Sequence, residues 1–269
     1  MHHPLDPLSA AEIEAAVLHF RAGHSDQQAF FCSIERLEPA KHVLKKGEQC
    51  PRSVKLMGID SQPDGGFEAE IDLTEGALKS VNRLALGAQV AYGIADLGPA
   101  IQLTKSCPEW LERVAARGIA TATKTDLELI QVDPWPAGGY AHPDIPDSHR
   151  ALRCIAFLKK DATDNGYARP IHGLIAHLDM TVGKVVHVED SGVIPIPPSS
   201  GRFDSAHQEK TRTDLKPLDI TQPDGASFTT EGYRVKWQGY DLRVSIHPVH
   251  GLVLHQMSLQ GRPVLYRAA

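Results

Sequence analysis

The sequence has no long apolar run, few aromatic residues and no excess of positive charge. None of its hydrophobic stretches approaches the roughly 20 residues that span a bilayer, so we expect no membrane-spanning segment and no membrane partner. Aromatic residues make up 6% of the 269 positions, and the net charge is −5. Lysine and arginine are scattered along the chain, which argues against a phosphate-tracking surface and therefore against a nucleic-acid partner.

The chain also has few cysteines, and none of them shows the two-residue spacing of a zinc or redox pair. We interpret them as reduced, buried, small apolar side chains: Cys32, Cys50, Cys107 and Cys154. The first residues lack the basic and apolar regions of a signal peptide, so we expect a cytoplasmic protein. No phosphate-cradling glycine loop and no nucleophile-elbow motif occurs in the sequence.

Two capping boxes suggest that the chain repeats a helix-on-sheet unit. The first runs from Ser9 to Glu12 and predicts a helix over 9–22, followed by strands at 30–37, 52–60, 66–73 and 77–84. The second runs from Ser106 to Glu109 and predicts a helix that ends at Gly118, followed by strands at 127–132, 151–158, 172–180 and 184–189.

A short local match supports the repeat. The run Asp-Leu-Thr-Glu-Gly at 72–76 recurs as Asp-Met-Thr-Val-Gly at 179–183, in each case just before the last predicted strand of the unit. Asp and Thr can bond the turn backbone, and Gly supplies a positive φ, so both runs are interpreted as hairpin turns. Chance similarity between two hairpins is the alternative, because turns use few residue types.

After residue 192 the amino-acid composition of the sequence changes. The Pro-rich run 194–201 and the polar stretch that follows predict an extended linker over 193–224. Short strands then follow over 225–269, and they lack closing partners. Since soluble proteins avoid exposed sheet edges, this segment is interpreted as the interrupted start of a further domain.

Several long runs resemble one known family. His3-Pro4-Leu5-Asp6-Pro7-Leu8-Ser9 resembles the start of copper-containing primary-amine oxidases of the topaquinone family. The runs 188–198 (VEDSGVIPIPP) and 218–228 (LDITQPDGASF) are similar to that family's exit from its third domain and its entry into the catalytic β-sandwich. Over essentially its whole length, the chain thus resembles the N-terminal portion of such an enzyme.

The resemblance implies an α+β fold with two tandem cystatin-like domains, each a helix on an antiparallel sheet. These would be a first small domain at 5–92 and a second at 93–192, followed by the linker 193–224 and a truncated beginning of the catalytic β-sandwich at 225–269. Full-length family members oxidatively deaminate primary amines to aldehyde, ammonia and hydrogen peroxide, using copper and topaquinone. They form homodimers through the catalytic domain.

The residues that perform this chemistry in the family are missing here. The family makes its quinone from a tyrosine in an Asn-Tyr-Asp/Glu motif, binds copper with three histidines, two of them as His-x-His, and uses an aspartate base. The chain contains neither Asn-Tyr nor His-x-His. We therefore expect no catalytic residue, no cofactor-binding residue and no metal ligand in this chain, and no enzymatic activity of the chain alone.

The histidines do not suggest a metal site from their spacing. His172 and His177 lie five residues apart on a predicted strand and should point to opposite faces, so they are interpreted as structural. His247, His250 and His255 crowd one hairpin, in which His247 and His255 could face each other. No further ligand is spaced to complete a tetrahedral site there.

The family resemblance implies one set of functional residues. In bacterial members the third domain helps to line the channel that leads amine to the quinone, and Leu97, Pro134, Trp135 and Tyr167 fall at matching places. Alternatively, Trp135 and Tyr167 are ordinary half-buried aromatics. Two functions remain open: the non-catalytic front region of an amine oxidase that shapes the substrate entrance, or a free-standing cystatin-like binding module without enzymatic activity.

Overall fold

A computed structural model describes residues 3–46, 50–61, 65–85, 87–207 and 212–269. The chain forms two compact units, one made of Met1–Ala91 with Leu218–Ala269 and the other of Tyr92–Pro217. The fold combines three antiparallel sheets with few helices, which agrees with the predicted α+β class. Among the described residues, no helix is both long and apolar enough to cross a bilayer. The predicted domain boundaries stay predictions.

The first unit packs one long helix against a four-stranded sheet. In the predicted capping box, the Ser9 hydroxyl accepts a hydrogen bond from the Glu12 amide at 3.2 Å, and the Glu12 carboxylate accepts one from the Ser9 amide at 2.8 Å. Phe20 of the helix stacks on Phe67 of the sheet with ring centroids 5.1 Å apart, in the centre of the core. The sheet order is β1-β2-β3-β4. The elements are α1 (Ala10–Gly23), β1 (Phe30–Arg36), α2 (Lys41–Lys46), β2 (Ser53–Ile59), β3 (Gly66–Asp72) and β4 (Ala77–Arg83).

The second unit places three helices before a sheet of the same order. Trp110 and Val114 are fully buried and pack with Leu152 and Leu178 of the sheet in one core. The elements are α3 (Ile94–Lys105), α4 (Pro108–Ala115), α5 (Lys124–Leu129), β5 (Ile130–Pro136), β6 (Ala151–Leu158), β7 (Leu174–Asp179) and β8 (Lys184–Asp190).

The predicted capping box at the first helix of the second unit was wrong. Ser106 is not an N-cap but the C-cap of α3, where its amide donates to the Gln102 carbonyl at 3.0 Å. Helix α4 begins after Cys107, with Pro108 in its first turn. Helix α3 was missed because Gly98-Pro99 has the composition of a turn. Proline in the second turn removes one intrahelical hydrogen bond, and the helix tolerates this loss.

The predicted strand at 127–132 was wrong in its first half. These residues begin as helix α5, which Thr123 caps by accepting the Asp126 amide at 3.1 Å, and strand β5 begins only at Ile130. The other predicted strands of the two units agree with the observed ones to within one or two residues.

The structure confirms the repeated hairpin in detail. The Asp72 carboxylate accepts the Thr74 amide at 2.8 Å, and Asp179 accepts the Thr181 amide at 3.0 Å. Both threonine hydroxyls accept the amide of an arginine at 2.9 Å, Thr74 from Arg52 and Thr181 from Arg150. The glycines that close the two turns have nearly equal positive φ, 66° and 67°.

Each of these two arginines binds a carboxylate in the first turn of a helix, an interaction that we call the arginine clamp. Arg52 binds the Glu12 carboxylate through two nitrogens at 2.7 and 3.1 Å, and Arg150 binds Asp96 in the same way at 3.0 and 2.8 Å. Glu12 and Asp96 each occupy the third position of their helix, and each also accepts the amide of the N-cap residue. The structural counterpart of α1 is therefore α3.

The C-terminal segment forms a third antiparallel sheet. Its strands are ordered β13-β12-β11-β10-β9, with β14 also paired to β12. One face of this sheet carries polar groups that bond within the same compact unit: Arg243 pairs with Asp6 at 2.8 Å, and His247 with Glu35 at 2.7 Å. The strands are β9 (Phe228–Glu231), β10 (Arg234–Trp237), β11 (Tyr240–His247), β12 (Gly251–Leu259), β13 (Arg262–Pro263) and β14 (Arg267–Ala268).

The opposite face of this third sheet is apolar and open. Ile246 and Leu252 lie across from each other on β11 and β12 and are 70% and 57% exposed. Their neighbours on this face are also apolar, and they are Val235, Leu242, Val244 and Leu254. The sheet therefore buries its polar face within the unit and leaves its apolar face available for another layer.

The prediction that His247 and His255 could face each other across their hairpin was wrong. His247 lies opposite Gly251, and His255 lies opposite Arg243, because the short turn at 248–250 sets the register of the β11–β12 hairpin. The 1% exposed His255 ring instead bonds the Ser245 hydroxyl at 2.8 Å.

Candidate functional site

The outer face of the second sheet, opposite its helices, gathers a row of aromatic and basic side chains. The strand register aligns Trp135, Arg153, His177 and His187, one on each of the four strands. Since aligned residues of an antiparallel sheet project to the same side, these four side chains form one row. The alternate positions, such as Cys154, point into the core with the helices.

Two of the predicted channel residues lie on this outer face. Trp135 is 57% exposed, and its indole nitrogen donates to the Asp133 carboxylate at 3.1 Å. Tyr167 is 56% exposed, and its ring meets the Phe157 ring edge-on at 4.9 Å. Phe157 pairs with Gln131, which alternation puts on the Trp135 side of β5.

The other two predicted channel residues belong to the opposite side of the sheet. Pro134 pairs with Cys154, whose side chain is buried beneath the helices. Leu97 is half-buried on α3, which packs against β5 and β6. The fold of this chain therefore brings Trp135 and Tyr167 to one face and separates them from Pro134 and Leu97. The role of these four residues in lining a channel stays a prediction.

Glu189 contacts the two residues at the centre of the row. The Glu189 carboxylate lies 3.1 Å from His177 Nε2 and 3.7 Å from the Arg153 guanidinium. Arg153 also lies over the Tyr140 ring, 5.6 Å from its centroid. Because the His177 ring is buried, its pKa lies below the ordinary value, and the Glu189 hydrogen bond acts in the opposite direction.

Two buried nitrogens in this cluster have no hydrogen-bond partner, Nδ1 of His177 and Nε of Arg153. An ionised carboxylate only accepts hydrogen bonds, so Glu189 fixes the His177 tautomer with the proton on Nε2. Nδ1 of the neutral ring is then an unused lone pair, and the His177 side chain around it is only 7% exposed. A buried polar atom in this condition calls for a ligand or a partner.

The loop between β5 and β6 folds over the row. Its His142 ring stacks on His187, with ring centroids 4.5 Å apart, and meets His177 edge-on at 5.6 Å. The C-terminal end of the loop is fixed by the contact between His149 Nδ1 and the Asp179 carboxylate, at 2.7 Å. Buried Ile145 anchors its middle in a small apolar cluster with Val186.

Sequence reasoning missed most of this surface. It did not single out Tyr140, His142, Arg153 or His187, and it gave His177 a purely structural role. The histidines are 35 and 10 residues apart in the chain, so no spacing rule connects them. Only the strand register brings them together, and the order of strand pairing cannot be read from alternation alone.

No family model matches the chain. A primary amine oxidase of Arthrobacter sp. (strain P1) is 37% identical over 272 residues, which cover 99% of this chain and 41% of the relative. A histamine oxidase of Arthrobacter globiformis is 33% identical over 278 residues, which cover 99% of this chain and 39% of the relative. The chain thus spans about two fifths of the length of these relatives.

Solved structures of similar fold agree with this match. The crystal structure of a copper-containing benzylamine oxidase from Hansenula polymorpha superposes with a TM-score of 0.79, covering 99% of this chain and 44% of that one at 20% identity. A lysyl oxidase from Pichia pastoris gives a TM-score of 0.62 with the same coverage at 12% identity. At these identities the likeness shows a shared fold.

Proposed function

Since this chain corresponds along its whole length to the N-terminal portion of copper-containing primary amine oxidases, we propose that it is the non-catalytic front region of such an enzyme. In the complete protein it would flank the catalytic domain and shape the entrance for the amine. The observation that carries this proposal is the 37% identity to a primary amine oxidase over 99% of the chain. The small domains are proposed to be cystatin-like, and the complete enzyme to be a homodimer.

The open apolar face of the third sheet favours this function over the alternative of a free-standing, cystatin-like binding module. A sheet with one apolar face needs a second layer to bury that face, and Ile246 and Leu252 are largely exposed to solvent. The relatives are more than twice as long as the matched region. We propose that a further part of the complete protein supplies that layer and completes a β-sandwich.

The family's copper and quinone do not fit the residues of this chain. Among the described residues, no group of three histidine, cysteine or carboxylate side chains is arranged to hold a metal ion. The asparagine that precedes the quinone tyrosine in the family's motif is absent before all 6 tyrosines. We therefore assign no step of amine oxidation to this chain.

The mass of the native protein tests the proposal. A polypeptide more than twice the 29.3 kDa of this chain, detected in the source cells with an antibody to the chain, is the expected result. A stable native protein of 29.3 kDa would instead support the binding module. The chain alone, supplied with copper and oxygen, should release no peroxide from benzylamine, because amine oxidation of this kind needs an electrophilic carbonyl that no unmodified side chain provides.

The entrance role has its own test in the complete enzyme. Trp135→Ala and Tyr167→Ala should raise the KM for amine several-fold and leave quinone formation unchanged, because these side chains are exposed and belong to no cofactor-forming motif. Phe203→Ala is the matched control, since Phe203 is an aromatic residue of the same compact unit that is 76% exposed. Equal KM values for all three variants and the parent would contradict the entrance role.

A further inference from the structure

Three histidine rings lie close together on the outer face of the second sheet, although no sequence motif connects them. The ring centroids of His142, His177 and His187 are 4.5, 5.6 and 5.8 Å apart. His177 and His187 are directly opposed on neighbouring strands, so their Cβ atoms start only about 5 Å apart. We propose that these three imidazoles form a binding site for a divalent transition-metal ion of the Zn²⁺ type.

The spacing of the rings suits such an ion. With metal–nitrogen bonds of about 2.0 Å in tetrahedral geometry, the ring centroids of two imidazole ligands lie about 5 Å apart. The three observed separations scatter around this value. Imidazole is a preferred ligand of zinc, copper and nickel, whereas calcium and magnesium prefer oxygen.

His177 already has the orientation of a metal ligand. Its Nε2 faces the Glu189 carboxylate at 3.1 Å, which leaves the buried Nδ1 as an unpartnered lone pair. Metal-binding histidines commonly donate their other ring N–H to a carboxylate, which fixes the tautomer and raises the basicity of the ligand. His142 is arranged differently, since its Nδ1 accepts a hydrogen bond from the Asp144 amide at 3.3 Å, and this bond must break before His142 can present Nε2 to an ion.

The other two rings must turn for all three to bind one ion. In the described residues no three donor atoms converge on a single point, because His142 and His187 stack with an interplanar angle of 26°. The terminal torsion of histidine is broad, and His187 is exposed, so this turn meets little resistance. Arg153 also faces the cluster, and the Glu189 carboxylate offsets its positive charge.

The proposed site differs from the copper centre of the family. It lacks the His-x-His pair, and it lies on one face of a sheet rather than beside a quinone. Water would complete the coordination as a fourth ligand. A bound ion would tie the β5–β6 loop, through His142, to strands β7 and β8, and it would thereby fix the surface on which Trp135 and Tyr140 lie.

The test is a titration of the purified 269-residue chain with Zn²⁺ at neutral pH, in competition with a chromophoric chelator of micromolar affinity. We expect one ion per chain, and Co²⁺ in its place should give the intense visible bands of a four-coordinate site. Exposed His187→Asn should weaken Zn²⁺ binding at least tenfold, and His142→Asn should act likewise. His177→Asn should abolish binding, with the two other variants as safeguards if the buried substitution unfolds the chain.

His172→Asn is the matched control, because His172 is an exposed histidine of the same compact unit outside the cluster. It should bind Zn²⁺ like the parent chain. Absence of saturable binding would overturn the proposal. Binding that survives both His142→Asn and His187→Asn would also overturn it, since the ion would then occupy another site, such as the N-terminal histidines.

Discussion

In the first helix-on-sheet unit the outer face of the sheet carries ion pairs, whereas the equivalent face of the second carries aromatic and imidazole side chains. Lys55 lies 2.7 Å from Glu35 and 3.7 Å from Glu68 on the first sheet. The second sheet has the row that runs from Trp135 to His187 in the corresponding place. The hairpin turn and the arginine clamp are the same in both units.

This difference distinguishes the contacts that stabilise the fold of each unit from the surface residues that can vary between the units. The Asp-x-Thr turn and the clamp fix the last hairpin and orient the helix, so they stabilise both units. The outer face contributes nothing to either task and can carry different chemistry in each unit. The binding roles proposed for the second unit all use residues of this outer face.

The largest expected effect is a loss of core volume at equivalent positions. Ile71 and Leu178 both directly precede the turn aspartate and are both fully buried. Ile71→Ala and Leu178→Ala should each lower the free energy of unfolding of their own unit by about 2–5 kcal/mol. Hydrogen exchange of peptides from β3 and β7 would report each unit separately.

The control for this pair is Val182→Ala, at a side chain that is 61% exposed, which should change stability by less than about 0.5 kcal/mol. A large effect at Ile71 with none at Leu178 would show that the two units are not energetically equivalent.

Removal of the clamp should have the next largest effect. Arg52→Gln and Arg150→Gln each leave a helix-capping carboxylate without its bidentate partner, at side chains that are 15% and 10% exposed. We expect losses of about 2–3 kcal/mol, below the full cost of a deeply buried pair because some solvent reaches both sites. Chemical denaturation would measure this loss. Lys124→Gln, which breaks a surface pair, should cost less than about 0.5 kcal/mol.

Acidification should distinguish the two units. Burial lowers the pKa of His255 to about 4, and it also lowers the pKa of His3 and His247 in the same unit. Below pH 6.5 the unfolded chain therefore binds protons that the folded chain does not bind. The contribution of these histidines to the free energy of unfolding is fully present above pH 6.5 and falls progressively as the pH drops toward 4. For His255 alone the loss at pH 5 is about 2 kcal/mol.

The described part of the second unit has one histidine whose pKa is lowered in this way, His177, so the first unit should open first at pH 5. Far-UV circular dichroism with hydrogen exchange would follow the order of opening. His255→Gln should flatten the pH dependence of the first unit. A first unit that is unchanged between pH 7 and 5 would contradict the assignment of His255 as buried and neutral.

Much of this comparison could be predicted from the sequence, because its determinants are local. The capping box at Ser9 and the Asp-x-Thr turns depend on residues two or three apart, and the structure confirms them. Helix α3 was missed because Gly98-Pro99 is a strong turn signal that tertiary packing overrides. The capping box at Thr123 and Asp126 was a usable signal for α5 that sequence reasoning passed over.

The candidate site could not be predicted in the same way, because it depends on register. Trp135 and Tyr167 were named from the family resemblance, and nothing in their local sequence places them on one face. The wrong prediction that His247 faces His255 has the same origin, since the turn at 248–250 pairs His247 with Gly251 and so sets the register of both histidines. Pairing between strands is a property of the folded sheet.

The smallest expected effect concerns the threonine hydroxyls of the two turns. Thr74→Val and Thr181→Val keep the shape of the side chain and remove the oxygen that accepts the amide of Arg52 or Arg150. Both hydroxyls lie near the surface, where water can replace the lost acceptor, so each variant should lose only about 0.5–1 kcal/mol. The loss should be larger for Thr181, whose bond is partly buried, than for Thr74, whose bond is exposed. Thermal unfolding of the two variants beside Thr213→Val, at an exposed threonine outside the hairpins, would resolve this order. Losses no larger than that of the control would mean that the hydroxyls do not stabilise the hairpins through the arginine amides, and a larger loss for Thr74 than for Thr181 would contradict the role given to burial.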